Sequence, residues 1–148
     1  MKKIGIVGTG MLGEAVGLHL LDIGYDVTVF NRTKIKTRKL EECGAKVVES
    51  PKHVAESSDL VIIVVRDANV VKEMIFGNLG IILGKHKGMC IADMSTVNPN
   101  STREIAKEVM LQEVDYMEIP VMGGPNVAID GKLVVMASGK KDVFDTFK

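Results

Sequence analysis

Six residues near the start of the chain, Gly8-Thr9-Gly10-Met11-Leu12-Gly13, constrain its fold more than any other segment. They follow the apolar run Ile4-Gly5-Ile6-Val7, which is typical of a buried strand. A helical pattern begins within them and ends near Gly24, and the apolar run Val27-Thr28-Val29-Phe30 follows directly; the apolar residues at helical spacing are Leu12, Val16, Leu20 and Ile23. A GxGxxG pattern alone is a weak signal, but strand, glycine turn, helix and second strand together predict a dinucleotide-binding βαβ unit.

Each glycine of this turn has a separate physical task in such a unit. Gly8 permits the tight turn, Gly10 lets the backbone approach the pyrophosphate, and Gly13 allows the helix to pack closely on the strand. The pyrophosphate is then bound by N–H groups at the positive end of the helix. The alternative interpretation is a glycine-rich turn that binds no ligand. The predicted cofactor residues of this segment are Gly8, Thr9, Gly10, Met11, Leu12 and Gly13.

The residues after the second strand, Asn31-Arg32-Thr33, indicate which dinucleotide is bound. NAD-binding folds carry an acidic residue at this position, which accepts a hydrogen bond from the ribose 2′-OH. No acidic residue stands here, and a guanidinium, an amide and a hydroxyl can all donate to a 2′-phosphate. We therefore predict NADP rather than NAD as the cofactor. The alternative is that Asn31 and Thr33 begin the next helix with Thr33 as its N-cap, and the two roles are compatible.

Apolar runs and helical patterns alternate along the rest of the chain. This alternation predicts an α/β fold of the Rossmann type, with a doubly wound, mainly parallel sheet and helices on both faces. The continuous apolar run 59–65 is expected beside the first strand at the centre of the sheet. Helices are predicted from Thr33 to about Cys43, over 68–76 and over 99–111, and from Lys140 onwards; a last strand is predicted over 132–138. All 148 residues are expected to form one dinucleotide-binding domain.

Composition and charge exclude several classes of function. Lys plus Arg and Asp plus Glu number 19 each, and the chain has no tryptophan, so neither nucleic acid nor an anionic membrane is an expected partner. No apolar run is long enough to span a bilayer, and Met1-Lys2-Lys3 leads directly into the first strand, so we expect a cytoplasmic protein. The two cysteines and three histidines match no metal spacing, and no metal site is predicted. Cys90 is expected to be a buried, inert thiol and His19 a packed, hydrogen-bonded residue.

Three loops that follow predicted strands carry residues suited to ligand binding. They contain Arg66-Asp67, Ser95-Thr96 and Gly123-Gly124. Ligands of open α/β sheets bind at the carboxyl ends of the strands, where these loops are expected to meet. Each loop alone is explained by ordinary turn chemistry, but their joint occurrence at one edge favours a ligand site.

With these motifs the chain resembles the amino-terminal domain of the β-hydroxyacid dehydrogenases. That family includes 3-hydroxyisobutyrate dehydrogenase, tartronate semialdehyde reductase and glyoxylate/succinic semialdehyde reductases, and imine reductases share the domain. The resemblance covers essentially all 148 residues. It is carried by the glycine turn with Asn31-Arg32-Thr33, by Asp93-Met94-Ser95-Thr96-Val97-Asn98-Pro99, and by Pro120-Val121-Met122-Gly123-Gly124.

The resemblance implies an oxidoreductase that transfers hydride between NADP(H) and the carbonyl of a small hydroxyacid or semialdehyde. It implies that Val65 and Arg66 line the ribose of the cofactor and that Thr96 contacts the nicotinamide end. Met122, Gly123 and Gly124 would form the substrate loop, in which backbone N–H groups of the glycines bind a carboxylate. Met122 stands where the family usually has a serine, and a thioether cannot donate a hydrogen bond. A homo-oligomer is also expected.

The family's catalytic lysine and its helical second domain lie beyond Lys148, so the chain contains no predicted catalytic residue. Lys140 and Lys141 match the stretch before the helix that carries that lysine. Two interpretations remain open: the cofactor domain of a reductase, including an imine reductase-like enzyme, and a non-catalytic module that binds NADP. In either case we expect the chain alone to be inactive.

Overall fold

The structure is a computed structural model that describes residues 2–148. One sheet contains the strands β1 (Lys3–Val7), β2 (Asp26–Phe30), β3 (Lys46–Val47), β4 (Leu60–Ile63), β5 (Cys90–Asp93) and β6 (Asp115–Glu118). A separate hairpin contains β7 (Val121–Met122) and β8 (Val134–Val135). The helices are α1 (Met11–Asp22), α2 (Arg38–Glu42), α3 (Pro51–Glu56), α4 (Ala68–Phe76), α5 (Pro99–Leu111), α6 (Pro125–Ile129) and α7 (Lys141–Phe147). No helix within residues 2–148 has the length and hydropathy needed to cross a membrane.

All strands of the main sheet are parallel and lie in the order β3-β2-β1-β4-β5-β6. The chain winds outward from β1 in one direction, returns to the centre, and continues from β4 in the other. This is the doubly wound Rossmann arrangement predicted from the sequence, and β4 pairs with β1 as expected. The reversal of winding between β1 and β4 is the point at which such sheets bind their ligands.

Successive residues of the central strands are buried on opposite faces of the sheet. In β4, Leu60 and Ile62 belong to one hydrophobic cluster, whereas Val61 and Ile63 belong to the other. This follows from the two-residue period of a strand, and it explains why the run is apolar without interruption. The first cluster is covered by α1, α2, α6 and α7, and the second by α3, α4 and α5.

The helix predicted from Thr33 to Cys43 is divided in the structure. Residues Lys34–Thr37 form a 3-10 turn, and only Arg38–Glu42 form an α-helix. Thr33 occupies the N-cap position of the 3-10 turn, but its side chain makes no capping hydrogen bond. The Thr37 hydroxyl donates to the Lys34 carbonyl over 2.6 Å, a local bond that competes with regular helix formation.

The last predicted strand, 132–138, is also different in the structure. Only Val134–Val135 form a strand, which pairs antiparallel with β7, and Ser138 makes an isolated bridge to Glu118. The segment therefore doubles back beside the end of β6 and does not extend the parallel sheet. The short helix α6 between the two hairpin strands was not predicted, nor was the 3-10 turn Ile81–Gly84.

Two predictions about single side chains are confirmed. His19 of α1 lies with its Nδ1 3.2 Å from the Ile129 carbonyl oxygen of α6, and α6 packs against α1. Cys90 is buried within β5, and burial raises the pKa of its thiol to about 12. A thiol with this pKa stays protonated and unreactive at neutral pH.

Candidate cofactor site

Backbone hydrogen bonds bring the carboxyl ends of the strands to one level. Gly8 N–H donates to the Phe30 carbonyl over 2.9 Å, and Val64 N–H donates to the Val7 carbonyl over 2.9 Å. The Met94 N–H continues the ladder to the Ile63 carbonyl over 2.9 Å. The loops after β1, β2, β4 and β5 therefore share one edge of the sheet, which brings together two of the three predicted ligand loops, those of Arg66-Asp67 and Ser95-Thr96.

A cleft of about 450 Å³ opens at this edge where the winding reverses. All predicted cofactor residues except Thr9 and Thr96 line it: Gly8, Gly10, Met11, Leu12, Gly13, Asn31, Arg32, Thr33, Val65 and Arg66. Sequence reasoning missed five further lining residues, which are Phe30, Lys36, Val64, Val70 and Met74. The cleft is thus built from the glycine turn, the loop after β2, the end of β4 and one side of α4.

The glycine turn has the shape that a dinucleotide requires. Gly8 adopts a φ of 104°, and a Cβ at this position would overlap the Val64 carbonyl oxygen. A Cβ on Gly13 would overlap the Gly8 carbonyl oxygen, so α1 can approach β1 closely only with glycine there. A Cβ on Gly10 would meet no heavy atom within 4 Å, because this residue faces open space. The backbone at Gly10 is therefore accessible to a ligand in the cleft.

The amino terminus of α1 carries a partial positive charge that can bind an anion. Gly10 is the N-cap of this 12-residue helix and has no side chain that could cap the first turn. Met11, Leu12 and Gly13 of that turn all line the cleft. Backbone N–H groups and the positive end of a helix bind phosphate together. The residues present fit the pyrophosphate of a dinucleotide.

Thr9 and Asn31 hold the two halves of this site together. Thr9 is buried, and its N–H donates to Asn31 Oδ1 over 2.9 Å. The Asn31 amide in turn donates to the Thr33 carbonyl over 2.9 Å, and the Thr9 hydroxyl donates to the Lys36 carbonyl over 2.9 Å. These bonds fix the loop after β2 against the glycine turn. Asn31 therefore has a structural role in addition to its place in the wall of the cleft.

Positive charge is concentrated at the end of the cleft beside β2. Arg32 and Lys36 both line this end, and Lys36 comes from the 3-10 turn that follows Thr33. The segment directly after β2, Asn31-Arg32-Thr33, contains no acidic residue, but the fold brings one beside it from α4. Arg32 Nη2 donates to Glu73 Oε2 over 2.8 Å.

The opposite side of the cleft is apolar. Val64 and Val65 follow β4, whereas Val70 and Met74 are one turn apart on the cleft side of α4. Phe30 at the end of β2 completes this wall. A flat aromatic group such as an adenine ring can be buried against such side chains. The four-residue spacing of Val70 and Met74 on a predicted helix is the sequence signal that could have indicated this wall.

A buried polar network supports the edge beneath Thr96. Asp93 accepts hydrogen bonds from the Ser95 N–H and from the Tyr116 hydroxyl, each over 2.9 Å. The Ser95 hydroxyl accepts from the Val65 N–H over 2.9 Å, which joins this network to the loop that lines the cleft. Burial raises the pKa of Asp93, although hydrogen bonds from Ser95 and Tyr116 oppose the rise. Thr96 itself is exposed and lies outside the cleft.

The predicted substrate loop lies on the hairpin and not in the cleft. Met122 ends β7 with 61% of its surface exposed. Gly123 has a φ of 122°, and Gly124 is the N-cap of α6. A Cβ on Gly124 would meet no heavy atom within 4 Å, so its backbone is open to approach.

Comparison with known protein families identifies the family of this chain. The model of the family described as the NAD binding domain of 6-phosphogluconate dehydrogenase matches residues 3–148. The chain belongs to this family. The chain is therefore an NAD-binding domain by family, and the cleft at the β1/β4 reversal is its candidate cofactor site.

Similar members of the family include proteins named as dehydrogenases or oxidoreductases. An uncharacterized oxidoreductase of Shewanella frigidimarina is 35% identical over 149 residues, which cover 100% of this chain and 51% of that protein. The probable 3-hydroxyisobutyrate dehydrogenase-like 2, mitochondrial, of Arabidopsis thaliana is 34% identical over 97% of this chain and 48% of its own length. The cytokine-like nuclear factor N-PAC of Xenopus tropicalis is 34% identical, with 97% of this chain and 27% of that protein covered. The chain thus spans about half or less of the curated relatives it matches.

Solved structures show the same fold as this chain. Mycobacterium tuberculosis 3-hydroxyisobutyrate dehydrogenase with L-serine superposes with a TM-score of 0.93 at 20% identity, over 99% of this chain and 49% of that one. Imine reductase from a Pseudomonas species has a TM-score of 0.88 at 25% identity, over 98% and 50%. Imine reductase from Myxococcus stipitatus in complex with NADP+ has a TM-score of 0.86 at 21% identity, over 97% and 49%. The resemblance to 3-hydroxyisobutyrate dehydrogenases predicted from the sequence is confirmed by the relatives and the fold.

Proposed function

We propose that this chain is the NADP-binding domain of an oxidoreductase that transfers hydride between NADP(H) and the carbonyl of a small hydroxyacid or semialdehyde. The observation that carries the proposal is the presence of two separate positively charged regions within one cleft. The N-terminus of α1 lies on one side, and the cations Arg32 and Lys36 lie at the end beside β2. A dinucleotide with an additional phosphate on its adenosine ribose has two anionic groups, one for each of these positions.

Each part of the cleft then has a role in binding. The turn from Gly8 to Gly13 holds the pyrophosphate through backbone N–H groups, and Arg32 binds the 2′-phosphate with the support of Thr33 and Lys36. Val65 and Arg66 lie along the cofactor ribose, and Thr96 contacts the nicotinamide end. NADPH supplies the hydride when it is bound. The chain's own residues bind and orient it.

The substrate half of the proposal rests on the hairpin loop. Gly123 and Gly124 bind a substrate carboxylate through backbone N–H groups, a mode that needs no cationic side chain. Met122 makes this end of the site less polar than a serine would, which also suits a cyclic imine. The exposed apolar side chains of the hairpin further support a homo-oligomer. The two cysteines, Cys43 and Cys90, are unpaired, which is typical of proteins in the reducing cytoplasm.

A second candidate function is a module that binds NADP without catalysis. One observation favours it: Asp93 and Tyr116, an acid and a phenol at the edge of the sheet, are buried and bonded to each other. Proton transfer to a substrate therefore requires a group other than these two. The two candidates predict the same cofactor and differ in turnover.

The cofactor half is tested by titration of the chain with NADPH and NADH, followed by fluorescence or calorimetry. Loss of a charge-assisted phosphate contact costs about 1.5 to 3 kcal/mol, so NADPH is expected to bind about 10- to 150-fold more tightly than NADH. Arg32→Ala should abolish most of this preference. Arg103→Ala, which removes an exposed guanidinium on α5, is the matched control and should leave both affinities unchanged.

Equal affinities in the parent chain would contradict the proposal. An Arg32→Ala variant that keeps the preference would also contradict it.

A further inference from the structure

Arg32 is not free in the cleft, because it is joined to a helix on the other side. Its Nη2 lies 2.8 Å from Glu73 Oε2, and the two residues are 41 positions apart in the sequence. Their side chains are 56% and 60% exposed, so the pair stands at the solvent-facing mouth. The ion pair therefore spans from the loop after β2 to α4.

The position of Glu73 on α4 follows from the helix period. Val70 and Met74 line the cleft, and Glu73 lies between them, three residues from one and next to the other. Residues three and four apart share one face of a helix. The carboxylate is thus held beside the apolar wall, within reach of the guanidinium that the proposed function gives to the 2′-phosphate.

A carboxylate at this point affects the two dinucleotides differently. A 2′-phosphate must share Arg32 with Glu73 or displace it, and the two anions repel each other when both stay close. The 2′-OH of NADH has no charge and can donate a hydrogen bond to a carboxylate, as it does to the acidic residue of NAD-binding folds. Glu73 supplies, from α4, an acidic group that the loop Asn31-Arg32-Thr33 lacks.

We propose that Glu73 is a specificity-determining residue that competes with the 2′-phosphate for Arg32 and thereby limits the preference of this chain for NADPH over NADH. The proposal rests on the function proposed above. It predicts that removal of one negative charge, 41 residues from the loop after β2, strengthens the binding of the phosphorylated cofactor.

The test is Glu73→Gln, which keeps the size of the side chain and removes its charge. Exposed ion pairs are worth up to about fivefold in affinity, so NADPH should bind about three- to fivefold more tightly to the variant. Adenosine 2′,5′-bisphosphate, which carries the 2′-phosphate without the nicotinamide, should show the same gain. NADH and 5′-AMP should bind with equal or slightly lower affinity, because the variant removes a carboxylate that can accept a hydrogen bond from the 2′-OH.

Two further variants show whether the effect passes through Arg32. In the Arg32→Ala background, Glu73→Gln should change the affinity for NADPH by less than about twofold, because the guanidinium for which it competes is gone. Glu104→Gln, which removes the acid of the ion pair between Lys72 and Glu104, is the matched control and should change neither affinity.

Unchanged or weaker NADPH binding in Glu73→Gln would overturn the inference, as would an equal gain for NADH or a full gain in the Arg32→Ala background. These outcomes differ from failure of the proposed function. In that case the single substitution Arg32→Ala would leave the preference of the parent chain for NADPH over NADH unchanged. A parent chain that binds neither dinucleotide would overturn both proposals.

Discussion

Gly10 and Gly13 belong to the same turn, but their surroundings differ. A methyl group on Gly13 would overlap the Gly8 carbonyl oxygen, whereas one on Gly10 would point into open space. We expect Gly13→Ala to lower the free energy of unfolding by about 1 to 3 kcal/mol, the usual cost of overpacking. Gly10→Ala should cost less than about 1 kcal/mol but should weaken dinucleotide binding, because its methyl group faces the cleft.

Urea unfolding and cofactor titration of both variants measure these two effects separately. If Gly10→Ala bound NADPH as well as the parent chain, the backbone at Gly10 would not be the point of pyrophosphate approach.

The buried carboxyl group of Asp93 makes stability depend on pH. Burial raises its pKa in the folded chain above the ordinary value of about 3.9. Between these two pKa values the folded state binds more protons than the unfolded state, so the free energy of unfolding falls as pH rises through this interval. Asp93→Asn lacks this dependence. The stability of the parent chain relative to the variant should therefore decrease from about pH 4 upwards.

Denaturant unfolding of both proteins across this pH range provides the measurement. Tyr116→Phe removes one hydrogen-bond donor to the carboxylate and should extend the decrease to higher pH, because that bond lowers the pKa of Asp93. A parent chain that gains stability over Asp93→Asn as pH rises would show that the donors outweigh burial.

At the scale of elements, sequence reasoning succeeded where helix ends depend on adjacent residues. The bounds of α4 and α5 agree with the predicted ranges, and both helices begin at side chains that cap them locally. Asp67 accepts from the Val70 N–H over 3.0 Å, and Asn98 accepts from the Ser101 N–H over 2.9 Å. These signals lie within three residues of the helix start and can be found in any sequence.

Elements that depend on distant contacts were not predicted correctly. The Lys36 carbonyl accepts a hydrogen bond from Thr9, 27 positions away, which fixes the 3-10 turn against the glycine loop. The short helix α6 packs on α1, and Gly131 after it adjoins the ring of His19. No local pattern marks either contact.

The same distinction applies to the candidate site. The glycine turn and Asn31-Arg32-Thr33 were found because each is continuous in sequence and has a known chemical task. Lys36 and Glu73 were missed because only the fold places them beside Arg32. Sequence reasoning therefore identified the cofactor class, whereas the charges that adjust its selectivity became visible in three dimensions.

At the scale of the whole molecule, the hairpin, the residue after it and α7 expose several large apolar side chains, which together are called the apolar surface. Met122, Val134, Val135, Met136 and Phe144 are each at least 40% exposed. Large exposed apolar side chains favour association, so we expect a polypeptide of residues 1–148 to associate with itself or with a covering partner. This apolar surface adjoins Gly123 and Gly124 of the proposed substrate loop.

Binding and turnover should separate in a polypeptide of these 148 residues. The proposed contacts to the pyrophosphate and 2′-phosphate all come from residues 8–36. Proton transfer to a carbonyl needs an accessible acidic group, whereas Asp93 and Tyr116 are buried and bonded to each other. The cleft is also open to water, which weakens the electrostatic interactions on which hydride transfer depends.

We therefore expect measurable NADPH affinity, with oxidation of NADPH at background for glyoxylate, succinic semialdehyde, tartronate semialdehyde and cyclic imines. The measurement is NADPH absorbance over time, made on protein whose intact mass corresponds to residues 1–148 and whose cofactor binding is verified in the same sample. Turnover with any of these substrates would show that another group among these residues performs the proton chemistry. Thr96 would then be the first to substitute, since its hydroxyl carries an exchangeable proton and is proposed to contact the nicotinamide end.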